Sequence, residues 1–72
     1  MSHPDYINIG TPETKAIEEC SELIQAICKA QRFGWDSSHP GTPNVTNKDE
    51  VKSEMIDVIN AMKTLKKHME NL

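Results

Sequence analysis

Two short acid patterns hold the side chains of this chain best suited to chemistry. Glu18-Glu19-Cys20-Ser21-Glu22 reads E-E-x-x-E, and Glu54-Met55-Ile56-Asp57 reads E-x-x-D. On a helix, residues three or four apart are neighbours on one face. At about 100° per residue, Glu19 falls beside Leu23, Ala26 and Ala30, so it borders or enters an apolar arc. Glu22 follows one turn later on the same side, and Glu18 turns outward toward solvent. Glu54 falls between Ala61 and Leu65, inside the apolar stripe of its segment, with Asp57 at the edge. Burying an unpaired carboxylate costs several kcal/mol, so protonation, a basic side chain or a cation must offset it. The lysines of the second segment, Lys52, Lys63, Lys66 and Lys67, fall mostly on its far side. Four converging carboxylates suit a hard divalent cation, Mg²⁺ first and Mn²⁺ by the same ligand logic. Solvated acid pairs are the plain alternative, and they are common on exposed helix faces.

These acids need two helices to carry them. Thr11-Pro12-Glu13 is a helix start, with Thr as N-cap, Pro at the first helical position and an acid in the first turn. Ala16, Ile17, Cys20, Leu23, Ile24, Ile27 and Ala30 then recur at helical spacing, and Gly34 is a natural stop. A helix is therefore expected over 11–33. The stretch 34–46 is rich in Gly, Pro and small polar residues and reads as a loop. It is long for a helix–helix connection, and long ordered loops often carry function. A second helix is expected over 47–70. It starts near Asn47, Glu50 is placed to serve as a reciprocal cap, and the apolar stripe comprises Val51, Met55, Val58, Met62, Leu65 and Met69. Residues 1–10, with Pro4 and Gly10, show no period and read as an arm.

The fold class is accordingly all-α: one domain, a helical hairpin that assembles into a four-helix bundle by oligomerisation, as a dimer or tetramer. Two features demand the assembly. A chain of 72 residues is near the lower limit of independent stability, and small proteins compensate with disulfides, metals or partner subunits. The apolar arc of the first helix is also wider than one seam requires, and Ile56 falls opposite the main stripe of the second.

Composition excludes several classes. A formal charge of −3 argues against nucleic-acid binding through a general basic surface, and with only Tyr6, Phe33 and Trp35 as aromatics the core is expected to be aliphatic. No apolar run approaches the roughly 18 residues of a membrane span. Met1-Ser-His-Pro-Asp-Tyr6 has no basic start followed by an apolar stretch, so no signal peptide is expected. Cys20 and Cys28, on one helix, would stand ~12 Å apart, too far for a disulfide. Reduced thiols imply a cytoplasmic setting.

The two acid patterns, in this order and on successive helices, resemble the signature of the all-α nucleotide pyrophosphohydrolases. That group includes MazG proteins, dimeric dUTPases and phosphoribosyl-ATP pyrophosphohydrolases. The stretch Ala16 to Lys29 looks like the short MazG-like proteins often encoded by bacteriophages, and Glu54 to Asn60 fits the second half. The resemblance covers roughly residues 12–33 and 47–66. It implies a cytoplasmic enzyme (host cytoplasm for a phage protein) that cleaves a nucleoside triphosphate to monophosphate and pyrophosphate with Mg²⁺. Glu19, Glu22, Glu54 and Asp57 match the family's metal ligands. Glu18 matches the first acid of the motif, and with Glu19 it is assigned to catalysis as the group that orients the attacking water or acts as its base. Asn60 resembles a residue that some relatives place near substrate. Lys29, Arg32 and Trp35 are further substrate-side candidates, for phosphate or for base stacking, and Lys48 has less support. Longer relatives carry additional helices, so here the arm, the loop or another subunit must supply the base pocket. Two alternatives stay open: a protein that binds nucleotide with little turnover, and a helical oligomerisation or adaptor module.

Overall fold

The computed structural model describes residues 11–72. The expected arm, 1–10, lies outside the described residues. Two helices account for most of the remainder: α1, Pro12–Phe33, and α2, Asn47–Glu70. They pack against each other as an antiparallel hairpin. The start of α1 meets the end of α2 through Glu13 and His68, 3.3 Å apart, and its end meets the start of α2 through Lys29 and Glu50, 2.7 Å apart.

Local chemistry sets the helix ends. Thr11 caps α1, its hydroxyl accepting from the Thr14 N–H at 3.2 Å, and Pro12 follows with its fixed φ. Gly34 ends the helix with φ 105°, a conformation in which a Cβ is strained, and its N–H donates to the Ala30 carbonyl. At α2 the cap differs from the sequence expectation. Thr46, not Asn47, is the N-cap, and Asp49 returns the reciprocal bond to the Thr46 N–H, forming a capping box. The box falls one position earlier: the Asn47 side chain is engaged with the Gly34 carbonyl, and Asp49, one methylene shorter than Glu, spans the cap from Thr46. Glu50 is thereby released to pair with Lys29.

Asn47 has another task. Its side chain is buried and donates to the Gly34 carbonyl at 2.8 Å, while its N–H donates to the Ser37 carbonyl. The Lys48 N–H bonds the Trp35 carbonyl, and an isolated antiparallel bridge pairs Ser38 with Thr46. The loop is thus folded back on the first turn of α2, with its backbone polar groups largely satisfied.

The core is small. Ala16, Ala26, Ala30, Val51 and Ala61 are its buried apolar members, flanked by half-buried Leu23 and Ile27. Short side chains at the contact let the helices approach closely but bury little area. Large aliphatics are left outside: Ile17 is 67% exposed, Ile24 62% and Ile56 59%. Such exposure is unusual when the residues cluster, because contiguous apolar surface is normally covered. Ile17, Cys20 and Ile24 of α1 join Met62 and Leu65 of α2 on one broad side of the hairpin. No helix among the described residues is long and apolar enough to cross a membrane.

Candidate functional site

The opposite side of the hairpin carries the acids. Carboxylate oxygens of Glu19, Glu22 and Glu54 lie within 4.8 Å of one another. Helical spacing explains the meeting. Glu19 and Glu22 stand on adjacent turns of α1, and the antiparallel register brings Glu54 of α2 to the same level. Glu19 is buried between the helices and Glu54 half-buried, while Glu22 is exposed at the rim of the cluster.

The electrostatics are unbalanced. Glu19 is only 7% exposed, yet among the described residues the one cation paired with it is Lys15 at 3.6 Å, itself well solvated. Glu54 is half-buried, and its Oε2 is enclosed with no hydrogen-bond partner among the described residues. A buried acceptor without a donor is rare and costly. The Glu22 carboxyl is held above its ordinary value, first by a hydrogen bond with Glu19, then by repulsion from Glu19, some desolvation and the charge of Glu54. Lys15 opposes the rise only weakly. Among the described residues, three carboxylates face one solvated ammonium, a balance that favours added positive charge.

The donor set is all oxygen, with one enclosed lone pair unclaimed, which fits a hard divalent cation of the Mg²⁺, Mn²⁺ or Ca²⁺ type. Two cavities flank the cluster. One, of about 390 Å³, runs toward the loop end between Glu22, Gln25 and Lys29 of α1 and Glu50, Ser53 and Glu54 of α2. The other, about 310 Å³, lies toward the open end and is lined by Lys15, Glu19, Asp57, Asn60 and Thr64.

The remaining sequence candidates divide. Asp57 is half-buried one turn past Glu54 and lines the second cavity with Glu19, but stands outside the group of three. Asn60 borders the same cavity, and its carbonyl accepts from the Thr64 hydroxyl. Glu18 is exposed, one turn before Glu22 on the outer side. Lys29 does line the first cavity, but Glu50 neutralises its ammonium. Arg32 rests over the neighbouring Phe33 ring, 5.9 Å from its centroid, and lines neither cavity. Trp35 also stands apart from both, largely exposed. Lys48 faces Asp36 at 3.6 Å across solvated surface. Sequence reasoning missed the role of Glu50. Its helix position was plain, but its partner Lys29 is 21 residues away and becomes a neighbour only through the hairpin register.

No family model matches this chain, and neither a curated protein nor a solved structure gives a significant match.

Proposed function

We propose that the chain is a Mg²⁺-dependent nucleoside triphosphate pyrophosphohydrolase, converting a (d)NTP and water to a (d)NMP and pyrophosphate. The observation that carries this reading is the convergence of Glu19, Glu22 and Glu54 around the partnerless, enclosed Oε2 of Glu54. The resemblance of the two acid patterns to MazG-like proteins supplies the reaction class. In this reading Glu19, Glu22 and Glu54 hold the cation, with Asp57 completing the set from the adjoining turn. The cation supplies positive charge to the phosphate oxygens and acidifies water beside it. Glu18, outside the cluster on the rim, accepts the proton of the attacking water. The cavities on either side give the phosphate chain room to lie along the groove, and Asn60 offers it an amide.

The exposed apolar side completes the proposal. A second copy covers Ile17, Ile24, Met62 and Leu65, producing a four-helix bundle with an acidic groove on each outer side. Incubation with Mg²⁺ and a panel of dNTPs and NTPs, with Asp57→Ala alongside, tests the activity. Equal amounts of monophosphate and pyrophosphate, lost in the variant, are expected. Release of orthophosphate instead, or turnover unchanged in Asp57→Ala, refutes the assignment.

One observation favours a second reading, that of a nucleotide-sequestering protein with little turnover. Lys29, the cation best placed for a phosphate in the groove toward the loop, is already engaged by Glu50. Nucleotide binding without pyrophosphate release distinguishes this case.

A further inference from the structure

A third cavity, about 370 Å³, lies at the loop end of the hairpin, lined by Lys29, Phe33, Ser37, Ser38, His39 and Pro40. Its size is within the range of small-molecule pockets. Lys29 is common to this cavity and to the groove beside the carboxylates, so the two adjoin. Along α1 the distance from Glu22 to Lys29 is ~10 Å and to Phe33 ~16 Å, the scale of an extended nucleotide.

We propose that this pocket receives the base of the nucleotide whose phosphates lie at Glu19, Glu22 and Glu54. The inference rests on the nucleotide reading above and adds to it the part of the chain that recognises the heterocycle. Three features of the pocket carry it. The wall is mixed in the way a planar heterocycle requires: the exposed Phe33 ring and Pro40 offer apolar surface, and the polar edge comes from Ser38 and His39. His39 is oriented, because its Nδ1 accepts from the Gly41 N–H at 2.9 Å. In the neutral ring the proton is then on Nε2, which is left to donate to a carbonyl or ring nitrogen of a base. The wall is also held in place. Asn47 ties Gly34 and Ser37 to α2, the Ser38–Thr46 bridge fixes the next residue, and a Cβ at Gly41 would come within 3.2 Å of the His39 ring.

Trp35, the stacking residue expected from sequence, has no place in this wall; Phe33 takes that position.

The test uses the full chain labelled with ¹⁵N and titrated with Mg²⁺ and either α,β-methylene nucleoside triphosphates of each base or inorganic tripolyphosphate. The analogues should shift the amides of Phe33, Ser38 and His39 as well as those around Glu22 and Glu54. Tripolyphosphate should shift only the latter. Phe33→Ala, which removes a base stacking contact, and His39→Ala, which removes a hydrogen-bond donor, should each weaken the preferred analogue about tenfold and leave tripolyphosphate affinity unchanged. Both positions are exposed, so the fold should survive, with circular dichroism as the check. Analogue and tripolyphosphate binding with no response at the loop, or analogue affinity unaltered in both variants, overturns the base pocket alone. Failure of both ligands to bind overturns the pocket together with the nucleotide reading beneath it.

Discussion

The two broad sides of this hairpin break the ordinary rule of burial in opposite directions. On one side Glu19 is buried and an oxygen of Glu54 is enclosed without a partner; on the other Ile17 and Ile24 are turned to solvent. Carboxylates normally stay hydrated and isoleucines normally hide. A lone hairpin with both exceptions gives up stability on each side. The pairing teaches that the described residues alone finish neither surface; on the proposal above, a cation completes the acidic side and a second copy covers the aliphatic one.

Changing one side at a time sharpens the contrast. The largest effect is expected on the acidic side. Glu54→Gln should lower turnover at least roughly 100-fold, the scale associated with damage to a metal site, with helical content intact. Steady-state pyrophosphate release combined with circular dichroism reads both. Activity retained in Glu54→Gln would break the assignment of that side. On the aliphatic side, Ile24→Glu should leave the groove in place yet abolish assembly. The wild-type Tm should rise with protein concentration and that of the variant should be lower and concentration-independent. A variant that sediments like the wild type would remove the case for a second copy.

Smaller effects belong to the joint between the helices. Gly34→Ala forces a Cβ onto φ 105° and within 3.0 Å of the Ser37 hydroxyl, so a loss of about 1 kcal/mol or more is expected in urea unfolding. Thr46→Ala removes the N-cap of α2 and should cost ~1 kcal/mol by the same assay. The smallest effect is pH-dependent. The folded chain holds the Glu22 proton more tightly than the unfolded chain, whose value is near 4.5. Between that value and the raised one the native state binds more protons, so stability should fall as pH rises through the window. In Mg²⁺-free buffer, Glu22→Gln should flatten this dependence. Asp49, lowered by its capping bonds to Thr46, works in the opposite sense, losing stability as pH falls.

Much of this arrangement was legible in the sequence because it depends on local rules. Thr11-Pro12, Gly34 and the helical recurrence of apolar residues delimit α1 as it is observed, and the wheel places Glu19 inward and Glu18 outward. What escaped depends on distance along the chain. In the sequence Lys29 reads as a phosphate-side candidate and Glu50 as a helix cap, and only the hairpin register brings them together. Asp57 shares a stripe edge with Glu54, but one helical turn separates it from the point where α1 brings its own pair, so three acids meet rather than four. The loop composition suggested function without geometry. The Asn47 bond to Gly34, which shapes the cavity beside Phe33 and His39, joins residues whose types alone give no sign of each other.

The central claim is that the acidic side is a divalent-cation site. Thermal unfolding of the wild-type chain and Glu54→Gln at neutral pH, with and without saturating Mg²⁺, tests it most directly. A ligand bound only by the native state at about 100 times its Kd adds roughly 2.7 kcal/mol, enough to move Tm visibly. Mg²⁺ is expected to raise the wild-type Tm and do little for the variant, which without Mg²⁺ should be the more stable of the two. An equal response of both proteins, or no response in the wild type, would contradict it.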